Sequence, residues 1–292
     1  MPELPEVEIT RRQIEPLLLG RRVVRVTTTA PSPFFLTSPR TLRRRLTGRR
    51  FERLERLGKY LLAGLDGGSR LLLHLGMTGQ IFAAGVRSVR LLASTRGGAL
   101  TPEGQARGFI PDRHTHLRLS FDDSGPDVFF RDARKFGRVE LLSPGATSPR
   151  LERLGPDALS AGARELAVAV RRRRAPIKAV LLDQSVLAGV GNIYADEALF
   201  LSSIRPSRRA YRVTGAECDR LLGAIQAVLH RSLETGGSSI SDFVQPSGED
   251  GRYQDERRVY GREGEPCPRC RTPIVRTVIA GRGTHHCPRC QR

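Results

Sequence analysis

Cys267-Pro268-Arg269-Cys270, sixteen further residues, then Cys287-Pro288-Arg289-Cys290: this stretch decides how the chain ends. Two Cys-x-x-Cys knuckles at that separation match a four-cysteine zinc template. Each two-residue gap closes a tight turn, so both of its sulfurs can face one tetrahedral ion. The spacing predicts one structural Zn2+ on Cys267, Cys270, Cys287 and Cys290, with the neighbouring arginines offsetting thiolate charge. Disulfide pairing is the alternative. It belongs to oxidising compartments, and the opening Met1-Pro2-Glu3-Leu4-Pro5-Glu6 lacks the basic-then-apolar layout of a secretion signal. His285 and His286 are alternative ligands, read here as solvent-exposed neighbours. Between the knuckles, β-branched residues flank Gly281-Arg282-Gly283, which predicts a hairpin with Arg282 presented at its tip.

Upstream of this module the pattern changes twice. Cys218, Leu221, Leu222, Ile225, Val228 and Leu229 recur at helical spacing, so residues from about 160 to 235 read as helices, with Cys218 a core thiol. Residues from about 20 to 142 carry short apolar runs such as Tyr60–Leu65, Arg70–Leu75, His116–Phe121 and Val128–Arg131. Strands at that spacing predict a β-sandwich or barrel. The expected organisation is α+β: an N-terminal β-sandwich domain with an N-terminal helix (2–142), a Pro/Gly linker (143–157), a helical domain (158–256) and the zinc finger (257–292). Residues 86–113 and 236–255 read as long loops.

Composition names the partner class. Lys and Arg number 49 against 30 acidic residues, a formal charge of +19, which points to a polyanion. No apolar run approaches a membrane span, so a cytoplasmic protein is expected. Of the basic residues 46 are Arg; Lys59, Lys135 and Lys178 are the three lysines. Asn192 is the one asparagine and Met77 the one methionine beyond the initiator. In a chain that writes Arg wherever Arg serves, a surviving Lys, Asn or Met is expected where its own chemistry is needed, though Lys135 is given no such role.

The start of the chain supplies that chemistry. Removal of Met1 exposes Pro2 as a secondary amine beside Glu3, a nucleophile and acid/base pair. Pro5 suits a first helical turn, and Glu3, Glu6 and Glu8 suit its positive end.

Pro2-Glu3-Leu4-Pro5-Glu6-Val7-Glu8 resembles the opening of bacterial formamidopyrimidine-DNA glycosylases, which excise 8-oxoguanine. The likeness continues through Lys59-Tyr60-Leu61, His74-Leu75-Gly76-Met77, Asp132-Ala133-Arg134-Lys135-Phe136-Gly137, Gly189–Glu197 and Val259-Tyr260-Gly261-Arg262 to the four cysteines. The resemblance implies a bifunctional glycosylase/AP lyase of base-excision repair, acting on oxidised purines in duplex DNA. Pro2 would attack C1′ and form a Schiff base, Glu3 would act as general acid/base, Lys59 would transfer a proton in elimination alongside a phosphate contact, and Arg282 would serve δ-elimination or clamp a flanking phosphate. An enzyme that works on a base takes it out of the stack; Met77, Arg134 and Phe136 match the trio that fills the gap. His114 (chosen over His116), Arg172, Lys178 and Asn192 match DNA contacts, and a helix–two-turn–helix element would span roughly residues 178–206. The loop 236–255 corresponds to the one that covers the everted base. A monomer is expected. Two other readings remain: an oxidised-pyrimidine glycosylase of the same fold, against which Leu4, Arg134 and Phe136 argue, and a catalytically silent zinc-containing DNA-binding protein, against which Pro2, Glu3 and Lys59 argue.

Overall fold

The apolar runs of the N-terminal half form strands whose alternate residues point into one core. The structure, a computed structural model, describes residues 2–88, 108–240 and 243–292. Its backbone forms two units, Met1–Ser148 with Thr235–Arg252, and Pro149–Glu234 with Tyr253–Arg292.

In the first unit, helix α1 (Leu4–Leu18) precedes strand β1 (Val23–Thr28), helix α2 (Pro39–Leu46) and strands β2 (Phe51–Leu57), β3 (Tyr60–Leu65), β4 (Arg70–His74), β5 (Gly79–Ala83), β6 (Thr115–Phe121), β7 (Val128–Asp132) and β8 (Arg138–Leu142). They pair as two four-stranded antiparallel sheets, β1-β6-β7-β5 and β2-β3-β4-β8. Ile14 of α1 joins Phe34, Phe51, Leu61, Leu73 and Phe130 in the shared core. Burial at this scale is the main stabilising term. It fixes α1, and with it the chain's N-terminus, against β2, β3 and β5.

Thr235–Arg252 follows the helical region in sequence but groups with this first unit. Glu6 Oε1 accepts the Ser238 amide at 2.9 Å. Gln13 donates to Gln245 Oε1 at 2.6 Å and accepts the Ser247 amide at 2.9 Å. These bonds reach across more than 230 residues, which local sequence pattern does not reveal. Most of the predicted loop 86–113 (residues 89–107) lies outside the described residues, as do 241 and 242 in the second loop.

The second unit is helical: α3 (Pro149–Glu152), α4 (Ala163–Arg171), α5 (Ile177–Leu182), α6 (Asn192–Leu201) and α7 (Gly215–Glu234), closed by the hairpin β9 (Val275–Ile279) and β10 (Arg282–His286). The short α3 lies inside the segment read as a linker. Cys218 is wholly buried on α7, as expected of a core thiol. The hairpin turn falls at Ala280-Gly281, both with positive φ (49° and 71°). Two left-handed residues make the turn type that matches strand twist. The turn therefore sits one residue earlier than the sequence suggested, and Arg282 opens β10 opposite Ile279.

Candidate functional site

The N-terminus of α1 is a buried carboxylate cluster. Pro2 is buried, and Glu3 and Glu6 are each 2% exposed. Glu3 is the N-cap residue, in extended conformation, and its backbone N–H donates to Glu6 Oε2 at 2.8 Å. Glu6 thus spends one oxygen on the residue beside Pro2 and the other on Ser238. Pro5 falls in the first turn, where a missing N–H costs nothing.

Lys59 occupies the β2–β3 turn and is 7% exposed. The turn is tied back to α1 by an ion pair. Arg56 Nε meets Glu8 Oε2 at 3.1 Å, and Arg56 Nη1 donates to the Gly58 carbonyl at 3.0 Å. Burial alone would raise the Glu8 carboxyl, but hydrogen bonds from Arg11 and Arg12 and the charges of Arg11 and Arg56 outweigh it and hold it below its ordinary value. Across the β3–β4 register Tyr60 faces His74, with ring centroids 4.8 Å apart.

Met77, Arg134 and Phe136 lie on two loops of the first unit joined through one carboxylate. Met77 is half-buried in the turn between β4 and β5; Arg134 and Phe136 are exposed between β7 and β8, the phenyl ring at 46%. The Arg134 guanidinium carbon lies 4.8 Å from the Phe136 centroid, cation–π range. Beneath them Asp132, 0% exposed, accepts from Thr78 Oγ1, from the Arg134 amide at 3.2 Å and from the Gly137 amide at 2.7 Å. Lys135, to which no chemistry was assigned, is exposed with φ 57°.

The two histidines near β6 differ. His116 is wholly buried, with Nδ1 3.0 Å from Thr29 Oγ1 and Nε2 2.9 Å from the Asp132 carbonyl. His114 is half-buried and precedes the strand. Burial lowers its pKa; Asp112 opposes this, and Arg131, Arg113 and Lys135 reinforce it.

In the second unit, α6 organises everything around it. Asn192, its first residue, donates from Nδ2 to the Gly283 carbonyl at 3.1 Å. Asp196 receives the His285 amide at 2.8 Å and pairs with Lys178 Nζ at 2.6 Å. Glu197 accepts three successive backbone amides, Arg258, Val259 and Tyr260, at 2.8–2.9 Å. Lys178 also donates to the Gly283 carbonyl (3.0 Å) and Thr284 Oγ1 (2.9 Å). Lys178, expected at a phosphate, here turns its Nζ toward protein partners. Its side chain is 0% exposed: Nζ makes two hydrogen bonds to the hairpin and an ion pair with Asp196. Arg282, exposed, stands one residue from this anchor; Arg172, also exposed, is the C-cap residue of α4.

The four sulfurs of Cys267, Cys270, Cys287 and Cys290 all lie within 4.8 Å of one another. Two pairs stand at 3.9 and 3.5 Å, close to the ~3.8 Å edge of a tetrahedron built on 2.3 Å Zn–S bonds. Amides of Arg269 and Cys290 point at sulfur. The donor set fits a structural zinc ion. The knuckle Arg269 is used otherwise than expected: it donates to the Phe200 and Leu201 carbonyls (3.0 Å each) and Ser203 Oγ (2.9 Å), capping the negative end of α6. His285 and His286 are buried, 8% and 4% exposed, because β10 packs against α6. They are neither solvent-exposed nor part of the cysteine cluster.

Sequence reading passed over Asp132, Arg56, Asp196 and Glu197 as functional supports. For the three carboxylates the signal was charge within apolar or glycine-rich motifs, where a buried carboxylate needs several donors; Arg56, in the charged stretch 52–57, carried none.

Three family models match the chain: the Formamidopyrimidine-DNA glycosylase N-terminal domain over residues 1–139, the Formamidopyrimidine-DNA glycosylase H2TH domain over 154–244, and the zinc finger found in FPG and IleRS over 264–292. A formamidopyrimidine-DNA glycosylase of Paracoccus denitrificans is 43% identical over 302 residues, covering 100% of both chains. The crystal structure of the MutM (Fpg) protein from Thermus thermophilus has a TM-score of 0.82 at 41% identity, over 99% of this chain and 98% of that one. A Lactococcus lactis Fpg mutant in complex with Fapy-dG-containing DNA has a TM-score of 0.85 at 32% identity, over 100% of each.

Proposed function

The chain belongs to the formamidopyrimidine-DNA glycosylase family, DNA-repair enzymes that excise oxidised purines, and on that premise we propose how its own residues carry out base excision and strand cleavage. Pro2, once Met1 is removed, attacks C1′ of the damaged nucleotide; the C1′–base bond breaks and the base leaves. Met1 itself lies outside the described residues. A secondary amine on the opened sugar forms an iminium. The iminium acidifies the C2′ proton, and the 3′ and then the 5′ phosphate leave by β- and δ-elimination. Glu3 moves the proton at the sugar and glycosidic bond. Lys59 transfers protons in elimination, a role an ammonium fills better than a guanidinium. The observation that carries this reading is the burial of Pro2 and Glu3 together, with the Glu3 amide held by Glu6.

Duplex DNA is the partner, as relatives crystallised on lesion-bearing DNA support. Met77, Arg134 and Phe136 fill the space of the everted base. His114, Arg172, Asn192 and Arg282 contact phosphates. Lys178 and Asp196 position Asn192 and the Arg282 hairpin. Residues 2–142, with 235–252 added, form the catalytic part; 143–157 lead into the DNA-binding helices, and 257–292 form the zinc finger. The enzyme acts as a monomer in the bacterial cytoplasm, on the nucleoid. Among the described residues no helix is long and apolar enough to cross a membrane.

The test is incision of a duplex carrying one 8-oxoguanine opposite cytosine, with borohydride added. A cleaved strand and a covalent protein–DNA product are expected. Binding without either product would leave only the DNA-binding reading.

A further inference from the structure

Asp132 is a carboxylate with no exposure and, among the described residues, no cation paired with it. Such a group is costly unless hydrogen bonds replace its water. Here every bond comes from one of two loops. Thr78, in the turn after Met77, donates its hydroxyl to Oδ1. The Arg134 amide donates to the same oxygen at 3.2 Å and to Thr78 Oγ1 at 3.1 Å. The Gly137 amide donates to Oδ2 at 2.7 Å. One side-chain group therefore joins the Met77 turn to both ends of the segment that carries Arg134 and Phe136.

The loops are also in direct backbone contact. A Cβ on Gly76 would stand 2.4 Å from Gly137 N and from the Phe136 carbonyl carbon, and Gly76 has φ 63°. A Cβ on Gly137 would stand 2.9 Å from Asp132 Oδ2. Backbone amides converge inward while the Arg134 and Phe136 side chains are left exposed. The base of the cluster is fixed as well: His116 Nε2 lies 2.9 Å from the Asp132 carbonyl, and the Asp132 amide donates to the His114 carbonyl at 2.9 Å.

We propose that Asp132, with Thr78, is the positioning element that sets Met77, Arg134 and Phe136 as one rigid wedge, and so governs base eversion without touching the reacting atoms. The proposal rests on the reading of those three side chains as void fillers. Eversion requires the wedge to be in place as unstacking energy is spent. A site that is present but loose loses that advantage. A substrate that already lacks the base makes a smaller demand on the wedge.

The experiment compares two substrates and one optical signal. Asp132→Asn and Thr78→Val are assayed for excision of 8-oxoguanine from duplex DNA and for borohydride trapping on a preformed abasic site. A 2-aminopurine opposite the lesion reports whether the wedge enters the stack. Losing a buried bond of this kind predicts roughly tenfold or more slower excision, abasic-site trapping within about twofold of wild type, and loss of the 2-aminopurine change. Thr78→Ser should restore all three. Equal losses on both substrates, or an intact optical signal in both variants, would overturn the proposal. Met77→Ala and Phe136→Ala separate it from its premise. If they leave the optical signal unchanged, the void-filling reading fails. If they abolish it while Asp132→Asn and Thr78→Val do not, the positioning role alone fails.

Discussion

Lys178 and Asp196 meet at 2.6 Å with neither side chain exposed to solvent. The pair joins α5 to α6, and both partners extend to the hairpin strand β10: Lys178 to the Gly283 carbonyl and Thr284, Asp196 to the His285 amide. A residue that sequence places among phosphate contacts thus holds in register the strand that begins with Arg282.

Breaking that pair should cost stability. Asp196→Ala leaves a buried ammonium without its counter-charge, a change worth about 3–5 kcal/mol. Urea unfolding should show a lower midpoint for both Asp196→Ala and Lys178→Met. The slope of log K for DNA against log salt should stay as in wild type. A direct phosphate contact at Lys178 would instead reduce that slope by about one, with little loss of stability.

Arg282 should behave in the opposite way. It is exposed on a pinned strand, so Arg282→Ala should leave unfolding unchanged and lower the salt slope by about 0.9. Arg172→Ala should do the same through the end of α4. A binding constant that does not vary between low and physiological salt would mean that the excess of basic residues serves something other than DNA.

Zinc should be stoichiometric and structural. Metal analysis is expected to find one zinc per chain. Its removal should release the packing of Phe200, Val259 and Ile274 around Cys267 and Cys287 and cut DNA affinity, since metal binding is folding free energy here. Active protein without zinc, or full incision by Cys267→Ser with Cys270→Ser, would contradict this.

Glu8 gives a pH signature. Its folded carboxyl titrates below the ordinary value of 4.5. The stability it contributes is therefore fully present above that value and is lost as pH falls through the lowered folded value. Glu8→Gln should be less stable than wild type at pH 7, and the gap should narrow toward pH 3, as read by thermal unfolding. A gap independent of pH would mean that Glu8 acts through packing alone.

Much of this was legible in the sequence, for identifiable reasons. The cysteine knuckles and α7 carry fixed spacings, β3, β4 and β7 carry short apolar runs, and β6 alternates Leu117, Leu119 and Phe121 with polar residues. Strand β2 was passed over because Glu52, Arg53 and Glu55 face solvent, leaving two buried residues, Phe51 and Leu54, to mark it. The contacts that build the site are long-range and polar, as Glu6 with Ser238 and Lys178 with Gly283 show. Local periodicity has no record of such pairs. The same limit explains His285 and His286: their burial depends on what packs against β10, not on their own neighbours in sequence.

The N-terminal amine is the centre of the account, and mass spectrometry of the borohydride-trapped peptide tests it most directly. DNA should be attached to the N-terminal peptide at Pro2. A short N-terminal extension should abolish trapping while DNA binding persists, and Lys59→Arg should slow elimination more than it weakens binding. A cross-link at Lys59 or Lys178, or undiminished trapping by protein with a blocked N-terminus, would contradict the assignment of Pro2 as nucleophile.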